Sequence, residues 1–362
     1  MHEWLTIIGG SENVFKEIAT LFPKADIFTL VAQPTTIEKL GLTNHKVTTS
    51  FIQSLPFAKT KYRSYLPLFP FAIESFDLSE YDLIISSSHA VAKGVLTNSN
   101  QIHICYCHSP MRYAWDLYHQ YLTEAGLQNG VKGALAKLIL HRLRTWDIIS
   151  SNRVDYFIAN SKYIAKRIKK VYGRESQVIY PNVAVEEFDL VEKKDDYYFT
   201  CSRFVPYKKI NLIVQAFAQM PEKILYVIGD GPDFEKIKKI ATSNTILLGY
   251  QSFDELKKYM SKAKAFVFAA EEDFGILPVE AQACGTPVIA FRKGGVLETI
   301  IENITGIYFD QQSVPSIIKA VNDFENNHNH FDPVQIARHS AQFSTERFKN
   351  EINDFIKNVL VK

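Results

Sequence analysis

Ala269-Ala270-Glu271-Glu272-Asp273-Phe274-Gly275-Ile276-Leu277-Pro278-Val279-Glu280-Ala281 is the stretch on which the reading of this chain turns. The apolar run ending at Ala269 has the make-up of a buried strand, and Pro278 suits the first turn of a new helix. Gly275 permits close backbone approach, and the free N–H groups of Ile276, Leu277, Val279 and their neighbours offer an anion site for a phosphate. Glu272 stands before the turn and Glu280 inside the helix, with seven residues between them. Ionised carboxylates only accept hydrogen bonds, so they suit sugar hydroxyls and not phosphates. One of them would hold a transferred sugar and the other the ribose of a nucleotide. Either glutamate alone would favour the plainer reading, in which Glu280 merely complements the helix dipole. The whole string is far more specific.

Working outward, strand-like apolar runs alternate with helix-period segments, the pattern of parallel sheets covered by helices. The first half predicts strands at 26–32, 82–86, 102–107, 156–159 and 177–180. The second half predicts them at 197–202, 224–229, 245–248, 265–269 and 287–291. An α/β protein of two Rossmann-like domains facing each other across a cleft follows, with ligands expected at the carboxyl ends of the strands. The expected divisions are 1–180, 181–340 and a last helix at 341–362. Its apolar stripe is Phe348, Ile352, Phe355, Ile356 and Val359. That helix either packs on its own domain or crosses back onto the first. The start is unusual, because Gly9-Gly10 follows only eight residues, His2 and Glu3 among them. A doubly wound domain opens with a buried strand of about five apolar residues. A truncated first strand, with residues upstream of Met1 absent from this chain, is the expectation.

A second candidate is Ser202-Arg203-Phe204-Val205-Pro206-Tyr207-Lys208-Lys209. Arg203 falls at a strand end and Lys208 near a helix start, so a planar guanidinium and a point-charge ammonium can meet one diphosphate. Solvated surface charge is the ordinary fate of such residues; convergence with the glutamate segment favours the site. Gly229-Asp230-Gly231-Pro232 is a strand-to-helix turn and weak support on its own.

Composition bounds the rest. A chain of 362 residues suits two domains, and 46% hydrophobic with 22% charged residues is that of a folded protein. A net charge of +2 gives no electrostatic case for nucleic acid. The four cysteines lack the spacing of a disulfide framework, and Cys105-Tyr106-Cys107-His108 has no second ligand pair for zinc. No apolar run approaches the ~20 residues of a membrane span, and no signal peptide is visible. A cytoplasmic protein is expected, with peripheral contact to the inner face of the membrane open.

These residues resemble the family-4 retaining glycosyltransferases of the GT-B fold, over nearly the whole chain. The most specific motifs are Glu272-x7-Glu280 enclosing Asp273-Phe274-Gly275-Ile276, and Arg203 with Lys208. The family's Gly-Gly loop after its first strand matches Gly9-Gly10, and its histidine after an inner strand matches His108. Ser86-Ser87-Ser88-His89-Ala90-Val91-Ala92-Lys93-Gly94 and Trp115-Asp116 are similar to bacterial O-antigen and capsule mannosyltransferases.

The resemblance implies transfer with retention and without a metal, and the sequence shows no Asp-x-Asp triad. Arg203, Lys208 and the helix start near Ile276 would meet the leaving-group charge. Glu272, Phe274, Gly275, Ile276, Leu277 and Glu280 would bind the donor together with Gly9 and Gly10, and His108 would meet the sugar and its developing positive charge. With no obvious nucleophilic carboxylate, same-face attack is favoured over a covalent intermediate. The donor expected is GDP-mannose, with a UDP-sugar as the alternative, and Leu248-Gly249-Tyr250 is placed by the base. The acceptor expected is a lipid-linked oligosaccharide of lipopolysaccharide or O-antigen synthesis. A helix at 131–152 is expected to turn Leu135, Leu138, Ile139, Leu143 and Trp146 one way and Lys137, His141 and Arg144 another. Such a basic amphipathic helix suits an anionic membrane surface or a lipid diphosphate; a core-packed helix with a solvated face is the other reading. Other classes stay open. A dinucleotide oxidoreductase would need Gly-x-Gly-x-x-Gly, which is absent. A GT-B epimerase, a glycoside phosphorylase or a non-catalytic nucleotide-sugar binder would share the fold.

Overall fold

The alternation of apolar runs and helical segments folds into two parallel sheets. The structure, a computed structural model, describes residues 1–327 and 330–361. One compact unit is Met1–Pro181 together with the chain from Phe348 onward; the other is Asn182–Arg347.

The first unit contains β1 (His2–Leu5), β2 (Ile27–Ala32), β3 (Val47–Thr49), β4 (Leu83–Ser88), β5 (Ile102–Cys107), β6 (Tyr156–Ala159) and β7 (Ser176–Val178). They form a seven-stranded sheet in the order β3-β2-β1-β4-β5-β6-β7, and every pairing is parallel. The second unit contains β8 (Tyr198–Cys201), β9 (Leu225–Ile228), β10 (Thr245–Gly249), β11 (Ala265–Phe268), β12 (Val288–Phe291) and β13 (Gly306–Phe309), in the order β10-β9-β8-β11-β12-β13. Both orders are doubly wound. The strand order reverses between β1 and β4 and between β8 and β11, the points at which such sheets bind ligands.

The first strand, which looks stunted in the sequence, is in place. His2–Leu5 pairs with both β2 and β4 at the middle of its sheet. Its polar residues hide it from a hydrophobicity reading, and they are buried because each has partners. Glu3 Oε1 accepts from Ser88 Oγ at 2.9 Å and from the N–H groups of His89, Ala90 and Ala92 at 3.0, 2.8 and 3.1 Å. Burial alone would raise the Glu3 carboxyl; the charge and hydrogen bond of His89, then His2 and the Ala90 N–H, outweigh it and hold it well below the usual range. Strands β3 and β13 do not stand out in the sequence, being a short edge strand of intermediate burial and a run opened by a glycine.

The final helix, Thr345–Leu360, crosses back onto the first unit. Its stripe Phe348, Ile352, Ile356 and Val359 is buried with Val14, Ile18, Ile104, Tyr106, Ile158 and Ile179. Lys349 adds an ion pair to Glu17 at 2.7 Å. The outgoing and returning chains lie side by side within the second unit, where Val183 N–H donates to the Phe343 carbonyl at 2.9 Å.

The helix Gly130–Ser151 is rotated from the expected orientation. Gly133, Leu140, Leu143, Asp147, Ser150 and Ser151 are its buried residues, while Leu135 and Leu138 are 56% and 51% exposed. The reason is a buried ion pair. Asp147 takes the ammonium of Lys93, itself 1% exposed, and accepts from Trp115 Nε1 at 2.8 Å and Tyr172 O–H at 2.9 Å. A charge desolvated this far must be paired, and its pairing sets the inward face ahead of leucine spacing. Arg144 also turns inward, donating to the Ala114 carbonyl at 3.1 Å. Lys93 and Trp115, which carried the mannosyltransferase likeness, thus belong to this core.

Phe348 is fully buried and meets Tyr106 edge-on, with ring centroids 5.8 Å apart. Phe348→Ala should destabilise the first unit by about 3–5 kcal/mol, read as a lowered denaturant midpoint. An unchanged midpoint would mean that the helix is not needed there.

Candidate active site

In the second unit the site is made by loops that leave β8, β9, β11 and β12. After β8, Pro206–Lys208 forms a single 3-10 turn and Lys209 takes a left-handed backbone (φ 58°), which starts the helix Ile210–Phe217. This kink directs Lys208 to Glu272, with which it forms a direct ion pair. Arg203 stays exposed, and its guanidinium has no ion-pair or hydrogen-bond partner among the described residues. The loop that carries it is held from below by Gly229-Asp230-Gly231. Phe204 N–H donates to the Asp230 carbonyl at 2.8 Å, and Asp233 N–H to the Phe204 carbonyl at 3.2 Å. A Cβ on Gly229 would lie 1.9 Å from the Ser202 carbonyl oxygen, so only glycine fits. The Gly-Asp-Gly turn therefore positions Arg203.

After β11, Gly275 (φ 91°) opens the helix Ile276–Ala283 without any side-chain cap, so its first N–H groups lack intrahelical partners. Phe274 is buried against Phe343, with centroids 5.5 Å apart, while Ile276 and Leu277 are partly exposed. Glu280 is half-buried on this helix, and its carboxyl is pushed up to about 7, first by burial and then by the negative charge of Glu187. Sequence reasoning missed the support of this segment, Lys293-Gly294-Gly295. Gly295 N–H donates to the Glu272 carbonyl at 2.8 Å, and Lys293 pairs with Glu271 at 3.0 Å. A Cβ on Gly295 would fall 2.3 Å from Phe274 Cα. The sequence does carry a signal for it, a Gly-Gly pair between a strand and a helix, the same feature as Gly9-Gly10. Tyr250, expected by the base, is 84% exposed just past β10.

In the first unit Gly9 and Gly10 start the helix Gly10–Thr20 directly after the β1 loop, at that sheet's switch point. A Cβ on Gly9 would lie 3.1 Å from Glu12 Oε2. Glu12 is buried in the helix's first turn, where a negative charge is favourable. Burial alone would raise its carboxyl; the hydrogen bond and charge of His2 win and hold it at about 2. His108 follows β5. Its backbone is pinned on both sides, by N–H donation to the Ser88 carbonyl at 2.8 Å and by Asn160 Nδ2 on its carbonyl at 3.0 Å. Its ring Nε2 lies 2.8 Å from Ser87 Oγ, and Ser87 Oγ lies 3.1 Å from His2 Nδ1. Burial, then the positive charges of His89 and His2, push His108 down to about 3, so it is neutral at ordinary pH. Ser87, His2 and Glu12, which the fold brings into a row with His108, are residues that sequence reasoning does not single out as candidates. The cysteines beside His108 are buried and free.

Each unit thus gathers its polar loops at the switch point of a doubly wound sheet, which is the architecture of the GT-B glycosyltransferases. The Anabaena protein HepE, solved in complex with UDP, matches 99% of this chain and 98% of its own at TM-score 0.72 and 17% identity. The sucrose-phosphate synthase of Thermosynechococcus elongatus matches 96% and 92% at TM-score 0.71 and 18% identity. At these identities the likeness is one of fold. The Glycosyltransferase Family 4 model matches residues 8–187, and the Glycosyl transferases group 1 model matches residues 184–339. The chain belongs to the family-4 glycosyltransferases. An uncharacterized glycosyltransferase of Methanocaldococcus jannaschii is 29% identical over 208 residues, 56% of this chain and 55% of that protein. A GDP-mannose-dependent alpha-(1-6)-phosphatidylinositol monomannoside mannosyltransferase of Mycolicibacterium smegmatis is 30% identical over 139 residues, 34% of this chain and 36% of that one. The chain therefore spans about half or less of the length of these curated relatives.

Glu280 yields a stability test. Its folded pKa of about 7 lies above the ordinary 4.5, so it favours folding while protonated. That contribution is whole below about pH 4.5 and is lost as pH rises through 7. Glu280→Gln should match wild type in acid and melt higher than wild type above pH 7, the gap widening by about 1.4 kcal/mol for each pH unit between those two values. Parallel melting curves at all pH values would show that Glu280 is ordinary.

Proposed function

We propose that this protein is a retaining, metal-independent glycosyltransferase that moves mannose from GDP-mannose onto a lipid-linked oligosaccharide in bacterial surface-polysaccharide synthesis. The observation that carries the transferase reading is the convergence of Lys208 and Glu272, joined in one ion pair, with the uncapped helix that begins at Gly275. A cation, an acceptor-only carboxylate and an anion-binding helix start are what a sugar diphosphate requires in one place. GDP-mannose draws support from the mycobacterial relative, and mannose also from the alpha-1,3/1,6-mannosyltransferase ALG2 of Homo sapiens, 23% identical over 252 residues.

On this reading residues 181–340 bind the donor and residues 1–180 the acceptor. Arg203 and Lys208 hold the diphosphate, Lys208 leaving Glu272 as the phosphates arrive. Glu272 and Glu280 accept hydrogen bonds from the sugar and from the ribose. Gly9 and Gly10 allow close backbone approach. The bond from the anomeric carbon to the phosphate oxygen breaks, and its electron pair leaves with the nucleoside diphosphate. The acceptor oxygen bonds to the anomeric carbon from the same face and gives its proton to the departing phosphate. Arg203, Lys208 and the helix start stabilise the growing negative charge, and neutral His108 meets the positive sugar ring. Val131, Leu135 and Leu138, all exposed beside Lys132 and Arg142, would rest on an anionic membrane that presents the acceptor. UDP-sugar use is the second reading, favoured by the UDP bound to the Anabaena protein.

Melting shifts with GDP, GDP-mannose, UDP and UDP-glucose test the donor, since a ligand at 100 times its Kd stabilises by about 2.7 kcal/mol. GDP compounds should raise the wild-type Tm and leave Glu280→Ala at its own unliganded value. A response to UDP alone would discard mannose and keep the transferase; no response to any of the four would remove the enzyme proposal. Arg203→Ala and Lys208→Ala should each lower kcat about 100- to 1,000-fold. Turnover should persist in EDTA.

A further inference from the structure

Four side chains of the first unit form one hydrogen-bonded row. Glu12 Oε1 lies 3.4 Å from His2 Nε2, His2 Nδ1 lies 3.1 Å from Ser87 Oγ, and Ser87 Oγ lies 2.8 Å from His108 Nε2. All four are buried, and the His2 ring is also fixed by stacking on Phe15 at 4.8 Å. The second buried carboxylate nearby, Glu3, faces His89 at 3.2 Å, so that charge is matched independently of the row.

The chemistry of the row gives it a direction. An ionised carboxylate has no hydrogen to donate, so the hydrogen between Glu12 and His2 sits on His2 Nε2. Where His2 is neutral, the other nitrogen, Nδ1, is then an acceptor and takes the hydroxyl hydrogen of Ser87. The Ser87 oxygen, having donated, accepts from His108 Nε2–H. Every hydrogen thus points toward the negative charge of Glu12, and each bond polarises the next. His108 is left with a bare Nδ1, which has no hydrogen-bond partner among the described residues.

We propose that His2, in its neutral form, and Ser87 are positioning residues that hold His108 in the Nε2–H form, so that Nδ1 is offered to the transferred sugar as a hydrogen-bond acceptor. This rests on the reading of His108 as the residue that meets the sugar. A lone pair at Nδ1 takes a sugar hydroxyl and turns the negative end of the imidazole toward a ring gaining positive charge. An N–H at that position would repel it. The backbone of His108 is pinned at both ends, so the tautomer is the variable that the row controls.

The test uses the full chain labelled with ¹⁵N-histidine, in which nitrogen shifts and couplings tell protonated from bare ring nitrogens. Wild type should show His108 protonated at Nε2 and bare at Nδ1. Ser87→Ala should give a mixture of both forms and a kcat lowered about 10-fold or more, with KM for the donor nearly unchanged. Ser87→Thr, which keeps the hydroxyl, should restore both the spectrum and kcat; if it restores neither, the row is not what sets His108. His2→Gln should disturb the His108 signals as Ser87→Ala does. A wild-type His108 protonated at Nδ1, or a spectrum unmoved by Ser87→Ala, would overturn the proposal. Full transfer by His108→Ala would instead remove the role of His108 in transfer, an outcome told apart because the spectra are read without turnover.

Discussion

A strand buried in the middle of a parallel sheet leaves no water to solvate a charge, yet β1 carries His2 and Glu3 side by side. The first unit is organised around that constraint. Glu3 collects three backbone N–H groups from 89–92 and the Ser88 hydroxyl, which fixes the loop leaving β4. His2 turns to the other side and reaches Ser87 and Glu12, which fixes the start of the first helix. The two elements that flank the switch point are therefore tied to the strand between them by buried hydrogen bonds. Removing the donors around Glu3 or Glu12 would leave an uncompensated buried carboxylate, so the contacts specify the loop geometry more than they add net stability.

The second unit solves the same placement problem with backbone. Gly229, Gly231, Gly294 and Gly295 let loops approach within distances that a Cβ would block. Arg203 and Glu272 are carried on those loops and gain their positions from the contacts beneath them. One unit thus presents a buried and neutral histidine pinned by its backbone, the other an exposed guanidinium and an ammonium paired with a carboxylate.

The last helix links chain order to this arrangement. Phe348, Ile352, Ile356 and Val359 complete the core that also holds Tyr106, whose hydroxyl donates to the Ile179 carbonyl at 3.0 Å. Tyr106 in turn meets His108 edge-on, with centroids 5.2 Å apart. The C-terminal segment therefore packs two side chains away from the residue proposed to meet the sugar.

Much of this was legible in the sequence by itself. Periodicity located most strands, β5 and β6 to the residue, because a parallel strand must be apolar on both faces and such runs stand out. The glutamate string, the Arg203–Lys208 pair and the Gly9-Gly10 turn pointed to a phosphate-and-sugar chemistry, in keeping with the family match, since few residue types can perform it. What periodicity could not supply were contacts between residues far apart in the chain. His2 and Glu3 read as a failed strand until Ser87, Ser88 and Glu12 were brought to them. Leu135 and Leu138 read as core until the burial of Lys93 with Asp147 turned the helix. The inward face of an element is chosen by the partner that most needs burial or pairing there, and that partner is known only when the chain has folded.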